Sequence, residues 1–165
     1  MGSSPSSGAI TIDFAGQTQT DVIWSVEQCS GMDTTGTNGS GAVVQSAVNN
    51  VAGTFSTGTF TVTLAAFSDT NNGAYGVITC DNTLNGSGSV GSGFTQLVNT
   101  QALPSGGNLQ TYLTEWKATN DTTVDASMPG DGATSIGGIA IEIKAAAVAS
   151  GTAVGYKTLL GTGQI

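Results

Sequence analysis

The chain has 165 residues, 25 glycines and eleven carboxylates, set against three lysines, no arginine and no histidine, for a net charge of −8. This composition excludes imidazole acid–base catalysis, a Ser–His nucleophile and a His-rich metal centre. Lys117, Lys144 and Lys157 are too few to neutralise a phosphate backbone, so neither nucleic acid nor an anionic membrane surface is an expected partner.

The length fits one domain, and 38% hydrophobic content is enough to form a core. The opening MGSSPSSGAITIDF lacks a basic stretch followed by an apolar one, so no secretory leader is read there. Residues 1–8 are expected to form a flexible or extended arm, 9–146 a β-sandwich, and 147–165 a second arm or an additional strand. Short apolar segments separated by Gly, Ser, Thr and Asn predict strands at Ala9–Phe14, Asp21–Cys29, Ala42–Val48, Thr59–Phe67 and Ala74–Cys80. The pattern continues at Phe94–Asn99, Leu109–Lys117, Thr122–Ser127, Gly138–Ala145 and Ala153–Leu160. No segment has the period and caps of an amphipathic helix. The class is all-β, a single antiparallel sandwich.

Alternation assigns faces. Phe60, Val62 and Leu64 share one side of their strand, Trp24 and Val26 one side of theirs, and Ile139, Ile141 and Ile143 one side of a third. These eight residues are the expected core. Cys29 and Cys80 each close an apolar segment, which makes them possible neighbours across that core; two buried thiols are the expectation rather than a disulfide framework.

Few residues offer chemistry. Glu27, in the strand of Trp24, and Glu115, next to Trp116, are the candidate carboxyl pair for glycoside hydrolysis, which requires them on one groove about 5 Å apart. Asp69-Thr70-Asn71-Asn72-Gly73 opens like a calcium loop but lacks the closing Glu, so side-chain turn bonds are expected there and no metal or other cofactor is assigned. Trp24, Tyr75 and Trp116 are the candidate platforms for a glycan.

The segments ITIDF, VIWSVEQCSGMD, TFTVTLAAF, GFTQL, YLTEWKA and GGIAIEIKAA resemble jelly-roll-type β-sandwich modules of phage virion proteins and bacterial surface proteins. The resemblance spans roughly Ala9 to Ala146, and the chain continues past the usual closing strand. It implies a jelly-roll-like scaffold with terminal arms. The absence of catalytic equipment, the lack of a secretory leader and the polar, low-charge termini make a non-enzymatic virion role the first expectation, foremost a decoration or cement protein assembled in the host cytoplasm that binds a major capsid protein and its own copies. The alternative is a carbohydrate-binding or adhesive module at an extracellular surface, and a glycoside-active enzyme ranks third. Val154, Tyr156, Leu159 and Leu160, in an alternating segment beyond the small-residue stretch Ala145–Ser150, are the expected intersubunit arm.

Overall fold

The structure is a computed structural model that describes residues 9, 11–18, 22–82, 86–103, 109–129, 133–147 and 156–159. Ten strands are formed there: β1 (Val26–Cys29), β2 (Val43–Phe55), β3 (Gly58–Thr63), β4 (Gly73–Asn82), β5 (Ser89–Val90), β6 (Thr95–Ala102), β7 (Leu109–Lys117), β8 (Thr123–Met128), β9 (Ala133–Ile143) and β10 (Tyr156–Leu159). One 3-10 helix, Thr37–Ala42, leads into β2.

Five strands in the order β2-β9-β4-β7-β6 face three in the order β3-β8-β5. All pairings are antiparallel. The pairs β2·β9, β3·β8 and β4·β7 nest inside one another, and β5 and β6 form the innermost turn of the chain. Nested antiparallel pairs that enter opposite sheets in succession make the sandwich jelly-roll-like, except that β5 and β6 pair with β8 and β7 and not with each other. The all-β sandwich expected from alternation is the observed fold.

Between the sheets lie Phe60 and Val62 of β3, Leu64 just beyond it, Val124, Ala126 and Met128 of β8, Ala74, Ile78 and Cys80 of β4, Leu113 of β7, and Ile136 and Ala140 of β9. Close approach of the sheets requires small residues on the larger one. A Cβ at Gly76 would sit 2.5 Å from Val124 Cγ1, and one at Gly138 would sit 3.0 Å from Phe60 Cε1. The inward column of β9 is therefore Ile136, Gly138, Ala140 and Glu142.

This overturns two expected faces: Trp24 and Val26 are half-buried in the outer layer and not part of the core, and the β9 isoleucines are on the other side of their strand. Ile139, Ile141 and Ile143 point away from the core, and Ile139 is 45% exposed. Periodicity places the three isoleucines together but cannot say which side of the sheet faces its partner. Here the opposing Phe60 ring selects the column with a glycine.

Other boundaries also differ. Residues 11–14 are not a strand; Asp13 Oδ1 accepts the Ala15 N–H at 2.8 Å, and Ala15 and Gly16 turn the chain with φ of 53° and 78°. Of the described residues 22–29, only Val26–Cys29 pair, whereas β2 runs on to Phe55 and β9 begins at Ala133. The sandwich proper thus spans Val43–Ile143. Residues preceding it form part of an outer layer, in which β1 pairs with β10.

Of the two expectations for 147–165, an arm or an additional strand, Tyr156–Leu159 takes the second within this chain: it adds to β1, with Cys29 opposite Tyr156 and Val26 opposite Leu159. Val154 and Leu160 lie outside the described residues, as does the 1–8 arm.

Candidate functional site

The outer layer is fastened to the five-stranded sheet at two places. At one, Met32 bridges Ala145, the Asp33 N–H donates to the Lys144 carbonyl at 3.0 Å, and Lys144 Nζ meets Asp33 Oδ2 at 2.6 Å. Hydrogen bonds from Lys144 and Thr35 hold the Asp33 carboxyl well below the usual range. At the other, side chains of β1 and the residue before it reach across to β7 and β4.

Glu27 is the centre of that second contact. Its Oε1 accepts from Ser25 Oγ at 2.7 Å and from Thr114 Oγ1 at 3.1 Å, and the Tyr75 phenol lies close enough to feel its charge. Ser25 Oγ lies 2.9 Å from Tyr112 Oη; with the serine hydroxyl donating to Glu27, Tyr112 donates to Ser25. Burial and then the Glu27 charge push the Tyr75 phenol well above its ordinary value. Tyr112 is raised by burial too. The same two causes, in that order, raise the Cys29 thiol. Such a network of hydroxyls on one carboxylate orients and fixes; it contains no base able to activate Ser25 at neutral pH as an imidazole would.

The candidate glycan platforms sit around this layer but differ in access. Tyr75 and Trp116 are cross-strand partners on β4 and β7. Tyr75 and Trp24 are half-buried. Trp116 is 4% exposed, with its ring over Gly73, so it is a packed ring and not an open stacking surface. Both faces of β7 are covered, which buries Thr114 and Trp116 on one side as well as Leu113 and Glu115 on the other.

The carboxyl pair expected for glycoside hydrolysis is separated by the sheet. Glu27 bonds Thr114 on the outer face, and Glu115, the next residue, projects to the inner one. No common groove joins them. Glu115 is fully buried, with Oε2 on the Gly91 N–H at 3.1 Å and Oε1 without a partner. Burial, opposed by the Gly91 bond and reinforced by Asp125 and Asp121, raises its carboxyl to about 7.

Glu142 is also buried but differently served. Its oxygens accept from Asn72 Nδ2 at 2.6 Å, Gln45 Nε2 at 2.6 Å, and the N–H and Oγ of Ser68 at 3.1 and 2.9 Å. Burial alone would raise this carboxyl; the donors outweigh it, and the net shift is downward.

The Asp69–Gly73 loop is a turn closed by its own side chains: Asp69 Oδ1 accepts from the Asn71 N–H at 2.9 Å and from Asn71 Nδ2 at 3.0 Å, while Asn72 faces Glu142. Among the described residues no group of three His, Cys, Asp or Glu is placed to hold a metal. Asp121, on the turn between β7 and β8, is paired with Lys117 at 2.6 Å. Cys80 is buried between the two large sheets and Cys29 lies in the outer layer, so the two thiols are not neighbours across one core.

The feature least visible in the sequence is the edge of the large sheet. β2 pairs only with β9 among the described strands, and most of its residues are exposed. Val48 is 75% exposed beside its partner Ile139, and Val43 is 54% exposed beside half-buried Ile143. The available signal was a 13-residue stretch, VVQSAVNNVAGTF, with apolar residues at both parities and no charge.

No family model matches this chain, and searches of curated proteins and of solved structures return no match. Among the described residues no helix is long and apolar enough to cross a membrane, which says nothing of a β-barrel.

Proposed function

We propose that this chain is a structural protein acting by surface contact, a decoration or cement protein that binds the outside of a virion shell together with copies of itself. The observation that carries the reading is the uncharged, largely exposed β2 edge with Val43, Val48 and Ile139 on one side. An exposed apolar stripe on a soluble sandwich marks a contact surface. The distribution of carboxylates supports the same reading: Glu115 and Glu142 lie inside the fold, and Glu27 fastens the outer layer.

The test is whether the native chain travels with shell-sized particles through a density gradient, and whether adding purified chain to stripped shells raises their melting temperature. Co-migration with a stabilised shell is expected. A chain that stays at the top of the gradient and leaves shells unchanged overturns the reading.

The second reading, a glycan-binding module, is favoured by the half-buried Trp24 and Tyr75 beside the Glu27 hydroxyl network. Glycan-array binding abolished by Tyr75→Ala, in a chain that ignores shells, selects it.

A further inference from the structure

Edge strands in soluble sandwiches are ordinarily guarded by a lysine, a proline, an inward charge or a covering loop. β2 has none of the first three. Its two register irregularities, at Val43/Gln45 and Ala52/Phe55, fall near its ends and leave Gln45–Ala52 as an unbroken edge. Two of its polar side chains are turned away from that edge. Gln45 bonds the Ala65 N–H, the Ala65 carbonyl and Glu142, and Asn49 Nδ2 donates to the Thr61 carbonyl at 2.7 Å. They close the gap between β2 and β3, and among the described residues nothing pairs with the outward N–H and C=O groups of Gln45–Ala52.

The opposite edge makes the contrast. β6 is equally uncharged, but most of its residues are half-buried, and its Asn99 and Gln101 side chains bond the Gly88 and Gly86 carbonyls of the segment beside it. Those contacts match the ones Gln45 and Asn49 make to the β3 segment, so the two edges differ in exposure: β6 is largely half-buried and β2 is largely exposed.

Charge selects the occupant. A chain of net charge −8 repels its own copies wherever carboxylates would meet. β2 contains no ionisable residue, and the one ionisable residue of β9, Glu142, points inward. An antiparallel strand is moreover its own complement about a two-fold axis, with the same patch on both sides. We infer that β2 pairs antiparallel with β2 of a second copy, joining two five-stranded sheets edge to edge and bringing the Val43–Val48–Ile139 stripes of the two copies side by side. This names the partner for the surface on which the functional proposal rests.

The test uses the full chain in isolation, so that it can fail separately from shell binding. Sedimentation velocity across a wide concentration range is expected to show a monomer–dimer equilibrium. Hydrogen exchange is expected to show β2 amides becoming protected as concentration rises. Val48→Lys changes an exposed side chain and should weaken the dimer at least tenfold while the melting temperature of dilute monomer stays put. Ser46→Lys, on the same face, repeats the test should Val48→Lys fold poorly. A monomer at every concentration overturns the inference, even if that monomer binds shells. So does a trimer or larger ring, or a dimer that both lysine variants leave intact without β2 protection. A dimer that ignores shells leaves this inference standing and removes the functional one.

Discussion

The Gly91 N–H meets Glu115 Oε2 at 3.1 Å inside the sandwich, and the other carboxylate oxygen has no partner. Asp125 crowds the same turn: a Cβ at Gly91 would lie 3.0 Å from Asp125 Oδ1. Burial lifts the Glu115 carboxyl to about 7 from an ordinary 4.5, so the folded chain holds a proton that the unfolded chain releases earlier. The sign follows from linkage: stability from this group is complete below 4.5 and declines as pH rises through about 7. The loss is on the order of 3 kcal/mol. Glu115→Gln should flatten the fall in stability between these values and raise the melting temperature at pH 8 above that of the parent. Urea midpoints measured across this range check it; an unchanged slope in the variant would refute the assignment.

Glu142 has the opposite behaviour. Four donors favour its charged form, so its contribution is present above its ordinary 4.5 and is lost as pH falls through the lower folded value. Glu142→Ala leaves the Asn72 and Gln45 amides facing an apolar void and should cost about 3 kcal/mol or more. Glu142→Gln fills the space but sets an amide N–H against donors, and should cost less than the alanine. Equal stability of Glu142→Ala and the parent in urea unfolding would contradict the network.

Two isoleucines on one strand separate the core from the outer face. Ile136 is 2% exposed and Ile139 45%. Ile136→Ala should destabilise by about 2–5 kcal/mol. Ile139→Ala in dilute monomer should cost under about 1 kcal/mol, since little of its burial is lost. Chemical unfolding of both variants decides; the reverse ranking would restore the face expected from the sequence.

Deleting residues after Ser150 removes β10, the strand partner of β1. The β2–β9 sandwich should persist, because its core residues all lie between Phe60 and Ala140. The outer layer should loosen, seen as faster exchange of the Val26–Cys29 amides and a lower melting temperature for the isolated monomer. Unaltered exchange in β1 would show that β10 does not hold that layer.

The strands of the sandwich were legible because a pleated, half-buried segment must alternate, and turn residues must separate such segments. Leu109–Lys117 is observed with the boundaries that pattern implies, and the inward set Phe60, Val62 and Leu64 is buried as alternation requires. The sequence by itself also determined the lack of imidazole and guanidinium chemistry. Alternation carries no sign, however, and so could not direct Ile139, Ile141 and Ile143 outward; that was decided by the Phe60 ring against Gly138. Nor could spacing reveal that Thr114 and Glu115, adjacent in the chain, serve different layers, one bonded to Glu27 and the other shut between the sheets. Such partners lie 87 and 24 residues away along the chain, and only the nesting of the strand pairs brings them together. The edge position of β2 among the described strands belongs to the same class: whether a strand has one neighbour or two is a property of the sheet, and no residue within the strand encodes it alone.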